Sequence, residues 1–286
     1  MIHNSLKPLA LLPSSTFFTA EIIPIFSSKG AEIPVMADED LTRFLQDWPP
    51  EPGHINARRI VGADGHEKIQ VRLDLGVLQM EVDGRPDGER PEGFESLLAY
   101  QRDRLERYVR ESGSVVGFSL SAEECRALRE EAVQYYHRYV PLFALGDYGR
   151  VVRDTSQNLK ALDLCRDYAA ADVDRYLFEQ FRPQVIATRA RAEAELALAD
   201  KQPKRALAAI DTGLEELRTV FQDLDRDREY EQANEVQLLR GMRDALVPKL
   251  PASQRAELEE RLRAALDAEN YELAAILRDE LRMLQD

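Results

Sequence analysis

The chain belongs to the mainly α class: a helical-repeat-like antiparallel bundle with a small N-terminal three-stranded β-meander plus helix and a C-terminal helical hairpin. Three patterns point there. Apolar residues step by four and three across residues 119–248, the spacing of core-facing helix stripes. Strict apolar–polar alternation is confined to residues 58–83. The last stretch, 251–286, holds two short apolar helical stripes on either side of Asn270.

At 286 residues the chain can bury one large or two ordinary cores. Its 38 basic against 52 acidic residues leave a net charge of −14, which repels phosphate backbones, so no direct nucleic-acid binding is expected. No apolar run reaches the roughly 18–20 residues of a spanning helix, so no membrane partner is expected and a cytoplasmic setting is. Cys125 and Cys165 lie too far apart in sequence for a compact disulfide scaffold and read as buried free thiols. The four histidines (His3, His54, His66, His137) show no metal-ligand spacing, and no metal or other cofactor is expected.

Residues 1–35 mix apolar runs with Pro13, Glu21 and Pro24 and are expected to be a disordered or mis-assigned extension, with Met36 as the working start. Residues 36–118 form a small α+β module. Ile69, Val71, Leu73 and Leu75 alternate with polar residues; after Gly76-Val77 the apolar set becomes Leu78, Met80 and Val82. A two-residue loop at Gly76-Val77 would set Leu75 opposite Leu78, Leu73 opposite Met80 and Val71 opposite Val82. Asp64-Gly65 is a second two-residue turn signal, which would set Ile60 against Ile69. A helix over 92–111, with Phe94, Leu97, Leu98, Leu105, Tyr108 and Val109 on one stripe, is the expected cover of the meander. Asp83-Gly84-Arg85-Pro86-Asp87-Gly88 reads as a turn-rich connector.

Residues 119–248 read as one helical body. Ser121 and Glu124 form a capping box, and Leu128, Ala132, Tyr135, Tyr139 and Leu142 make the first seam. Gly146-Asp147-Tyr148, Pro183 and Lys201-Gln202-Pro203 break the body into successive helices. Val173, Tyr176, Leu177 and Phe181 stripe a short aromatic helix. Small residues at Ala194, Ala206 and Gly213 fall near close-packing positions, so the pairs loosely resemble tetratricopeptide repeats, though the two inter-helix turns are spaced too far apart for the usual ~34-residue period. Concave faces of such stacks bind peptides or helices.

Pro248 and Pro251 separate a terminal hairpin over 251–286. Leu258-Glu259, Ala265, Tyr271-Glu272, Ala274-Ala275 and Leu277-Arg278-Asp279 resemble the UVR motif, the helical hairpin of the excision-repair subunits UvrB and UvrC. Leu262, Leu266 and Glu269 depart from the family pattern. The resemblance implies a docking surface without chemistry of its own. Its expected contact residues are Leu258, Leu262, Tyr271, Ala274, Ala275, Leu277, Arg278 and Asp279, and its partner a protein, another UVR hairpin among the options; a homo-oligomer is one form this could take. Between 252 and 286 five arginines face nine acids, a local balance of −4 that favours protein over duplex contact.

No phosphate loop, nucleophile elbow or zinc-protease helix is present, and the paired carboxylates Glu123-Glu124 and Glu215-Glu216 read as solvated faces. The chain is thus expected to be a non-enzymatic adaptor with a mobile hairpin. Two other settings follow from the resemblance: an accessory factor of nucleotide excision repair, or a regulator of a protein arginine kinase and Clp system. The activators of the latter also carry Cys-x-x-Cys zinc pairs, absent from this sequence. An enzyme site on the meander would have to draw on Arg58, Arg59, Asp64, His66, Arg72 and Asp74, whose alternation a solvated sheet face also produces.

Overall fold

A computed structural model describes residues 40–246, 254–267 and 273–278. Residues 1–35 and the hinge at Pro248 and Pro251 lie outside the described residues. The architecture is mainly helical, with one small antiparallel sheet near the N-terminus and helices at the C-terminal end. Described residues fall into two compact units, one up to Phe181 and one from Arg182; that boundary lies inside the 119–248 segment read from sequence as one body.

In the first unit, α1 (Thr42–Asp47) opens under an Asp40 carboxylate that accepts from the Thr42 N–H at 2.9 Å. The sheet has the order β1 (Ala57–Val61), β2 (Glu67–Leu73), β3 (Gly76–Glu81), all antiparallel. The three strands are where the alternation places them, but both registers differ from the expectation. Between β2 and β3 the turn is Asp74-Leu75, not Gly76-Val77, so Leu73 faces Gly76, Val71 faces Leu78 and Ile69 faces Met80. The shift is an even number of residues, so the apolar residues keep their common face; Leu75 sits at the turn, 95% exposed.

Between β1 and β2 the shift is odd. The Gly62 N–H donates to His66 O at 2.8 Å and the Gly65 N–H to Gly62 O at 2.9 Å. The loop is therefore three residues, Ala63-Asp64-Gly65, with Gly65 left-handed at φ 79°. This is the turn-plus-bulge hairpin, which needs a glycine-like third residue. Its consequence is that Arg59, not Ile60, lies opposite Ile69. Ile60 instead pairs with Lys68 on the other face.

Both faces of β2 are covered. On one, Ile69 is fully buried and α3 packs against the strand. On the other, Arg58 stacks on the Trp48 ring at 4.0 Å and the Phe44 ring at 5.0 Å, both from α1 and its end. The cover of the apolar face is thus α3 (Ala122–Ala144), while α2 (Leu97–Ser112) packs on α3. The helix expected over 92–111 begins only after a 3₁₀ turn at Pro91–Gly93, with Ser96 Oγ capping the Ala99 N–H at 3.0 Å.

Helix α3 starts on the expected capping box, Ser121 Oγ to the Glu124 N–H and the Glu124 carboxylate to the Ser121 N–H. Leu128, Ala132, Tyr135, Tyr139 and Leu142 are all buried. Gly146 at φ 74° and Asp147 as N-cap turn the chain into α4 (Tyr148–Tyr168), which packs along α3. The short α5 (Asp172–Glu179) contacts both. Its expected seam differs: Val173 and Tyr176 are 61% and 66% exposed, and Phe178 is the ring turned inward.

In the second unit, α6 (Arg182–Ala199) and α7 (Pro203–Asp223) pair tightly, with α8 (Asp227–Tyr230) and α9 (Asn234–Leu246) against α7. Close approach rests on small residues. Ala194 and Ala206 are fully buried, and a Cβ added to Gly213 would lie 2.5 Å from the Ala190 Cβ.

Candidate docking site

The terminal segment begins with α10 (Gln254–Asp267), and a second helical stretch covers 273–278. Ala265, Ala274 and Leu277 form one buried cluster, with Leu262 packed partly buried against it. Leu277 is only 2% exposed. Burying a leucine is worth about 1.5–3 kcal/mol, so Leu277 helps to hold the two helical stretches together. Two alanines in the cluster, Ala265 on α10 and Ala274 on the second stretch, leave room for the helices to approach closely.

The remaining positions follow from a turn of 3.6 residues, which rotates successive side chains by about 100°. Leu273 and Ile276 each precede an inward residue by one position, so they share an outward flank of the second stretch, 38% and 54% exposed. Ala275 and Arg278 each follow an inward residue by one and share the opposite flank, also exposed. Leu266, one position after Ala265, is 49% exposed on α10. The hairpin therefore has a dry seam, a greasy outer flank, and a flank pairing a small residue with a cation.

Of the eight contact residues read from sequence, Leu262, Ala274 and Leu277 line the internal seam, while Ala275 and Arg278 face outward. Leu258 lies within α10, its side chain outside the described residues, as are Tyr271 and Asp279 altogether. That set omits the exposed Leu266, Leu273 and Ile276. The signal for the last two is present in the sequence: a second apolar pair, three residues apart, offset by one from the inward pair.

The polar meander residues do not converge. Arg58 and Arg72 lie on the face under α1: Arg58 donates to Gln70 Oε1 at 2.8 and 2.9 Å, and Arg72 Nε to Trp48 O at 2.9 Å. Arg59 is on the other face, paired with Asp147 at 2.7 Å. Asp64 and His66 border a surface cleft of about 470 Å³ that Arg58, Arg59, Arg72 and Asp74 do not line. The Asp64 carboxyl is held below its usual range by Lys68, which it meets at 2.8 Å. Among the described residues no group of His, Cys, Asp and Glu could hold a metal ion, and no helix is long and apolar enough to cross a membrane.

No curated protein and no solved structure matches the chain significantly. A family model, UVR, described as the UvrB/uvrC motif, matches residues 253–286. The hairpin with its Ala265–Ala274–Leu277 seam is thus the part of the chain that carries a UVR motif.

Proposed function

We propose that the protein is a non-enzymatic adaptor that docks another polypeptide through its terminal hairpin. The observation that carries this reading is the outward Leu273–Ile276 flank on a hairpin whose own seam is already filled by Leu277. Large apolar side chains exposed side by side on a helix usually find a protein partner. The −4 balance of the segment argues for a protein rather than a duplex on the other side. A second UVR-type hairpin, with a matching apolar flank, is the partner of fitting chemistry.

The test is affinity isolation with the full chain and with Ile276→Asp. The adaptor reading expects the variant to lose its partners while its helical circular dichroism stays the same; an identical partner set ends it. Ile276 is the better probe than Leu277, because Leu277→Asp would place a charge in the seam and unfold the hairpin itself.

The motif's occurrence in UvrB and UvrC supports a second reading, an accessory factor in excision repair acting through such partners. It expects cells lacking the protein to be sensitised to ultraviolet light, and wild-type survival would remove it.

A further inference from the structure

Helices α3 and α4 run antiparallel, and their cross-contacts fix which residues face each other. Asn158 Nδ2 donates to the Ala132 carbonyl at 2.9 Å. Two helical turns further on, seven residues back along α3 and seven forward along α4, stand Cys125 and Cys165. Just beyond them the backbones meet directly. Leu120 and Ala169 form an isolated β-bridge, with the Leu120 N–H donating to Tyr168 O at 2.7 Å and the Ala170 N–H to Leu120 O at 2.9 Å. Packed helix axes ordinarily lie about 8–10 Å apart, whereas bridged backbones come to about 4.8 Å. The bridge therefore holds the two backbones together just outside the helix ends that carry Cys125 and Cys165, the kind of close approach a disulfide requires. Both cysteines are free and fully buried, and their thiols hydrogen-bond to each other.

We propose that Cys125 and Cys165 are a redox-responsive pair that closes into an internal disulfide by exchange with a low-molecular-weight disulfide such as oxidised glutathione. The Cys125 thiolate attacks one sulfur of the small disulfide, breaking its S–S bond and releasing one small thiol. The Cys165 thiolate then attacks the Cys125 sulfur of the mixed disulfide and expels the second small thiol. Two protein thiols are oxidised, one small disulfide is reduced to two thiols, and the protein loses two hydrogens. The contact between the two thiols holds Cys125 below its usual range, while that same contact and burial push Cys165 up.

Access is controlled by α5. It contacts both α3 and α4, and Arg129 on α3 pairs with Asp174 on α5 at 3.1 Å beside the two thiols. Within this eight-residue helix only Asp174 and Phe178 are buried. A short element with so little buried surface is drawn from the low-stability end of a fold and opens locally. Exchange should therefore be slow in the native protein, and faster in Arg129→Ala, where the strap is cut.

The experiment is intact-mass analysis of the full chain incubated natively with oxidised glutathione, followed by peptide mapping. The expected result is loss of two hydrogens and a Cys125–Cys165 cross-linked peptide. Cys165→Ser should instead retain one glutathione on Cys125, because the resolving sulfur is gone. The cross-linked wild-type protein, whose disulfide closes a forty-residue span, should melt roughly 5–10 °C higher than the reduced form. The proposal is overturned if native protein keeps both thiols while protein in urea oxidises readily, or if stable glutathione adducts accumulate without a cross-link.

Discussion

Arg138 and Asp154 form a fully buried bidentate pair, with Arg138 Nε 2.7 Å from Asp154 Oδ2 and Nη2 2.8 Å from Oδ1. The remaining Arg138 nitrogen donates to Glu81 O at 3.0 Å and Gly84 O at 2.8 Å. Arg153 adds Val82 O at 2.7 Å and the Asp83 carboxylate at 2.6 Å. One ion pair between α3 and α4 thereby holds the end of β3 and the start of the connector. The Gly-Arg-Pro-Asp-Gly loop is a turn, as expected, but one anchored from beneath.

Removing Asp154 leaves the buried Arg138 guanidinium without its counter-ion, whereas Asp154 itself has a second cation in Arg153, 2.9 Å away. Asp154→Ala is expected to destabilise the first unit by about 3–5 kcal/mol. Arg138→Met combined with Asp154→Leu should recover much of that loss. Urea unfolding measures both; a loss below about 1 kcal/mol for Asp154→Ala would show that the pair is not the anchor.

Glu131 links α3 to the N-terminus of α2, accepting the Leu97 N–H at 2.7 Å and the Leu98 N–H at 3.2 Å. Burial raises its carboxyl above the ordinary 4.5, against the pull of those N–H groups and Arg85. A folded pKa above the unfolded one gives stability that is complete below about pH 4.5 and drains as pH rises through the folded value. Glu131→Gln does not titrate. Its urea midpoint relative to wild type should therefore rise from pH 4.5 toward neutrality, and a falling or flat difference would contradict the assignment.

The left-handed Gly65 is what fixes the three-residue loop and the odd register of β1. Gly65→Ala meets no atom within 4 Å, so its cost is backbone alone, about 1–2 kcal/mol. Thermal unfolding checks this, and an unchanged midpoint would restore the two-residue turn with Ile60 opposite Ile69.

In the second unit, Gly213→Val should cost about 1–3 kcal/mol, because its first carbon already collides with Ala190 and lies 3.2 Å from Leu239 Cδ1. Chemical denaturation reads the effect; a neutral result would mean that α6 and α7 are not in such close contact.

What could be read from sequence was what periodicity encodes. The Leu128–Leu142 seam, the Ser121 capping box, the Gly146 break and the three strands all follow from side-chain spacing and cap chemistry, which act locally. Register was not so encoded. Asp64-Gly65 suits both a two-residue and a three-residue loop, and only the His66-to-Gly62 closure distinguishes them. Nor was the role of Arg138, since its partners lie 16 and more than 50 residues away and no local pattern marks a buried cation. In the hairpin, Ala274 and Leu277 stood out as apolar, but apolarity alone does not separate a seam from a flank. Only the rotation between neighbouring positions places Ile276 outside and Leu277 inside.

The most direct measurement of the central claim is calorimetric titration of the full chain against a purified protein bearing an accessible UVR hairpin. Leu273→Asp with Ile276→Asp is the comparison, because both side chains lie outside the seam. The account predicts that binding weakens by about 10- to 100-fold in the variant, the cost of truncating one or two apolar anchors, with the thermal midpoint unchanged. Equal affinity for wild type and variant would contradict it.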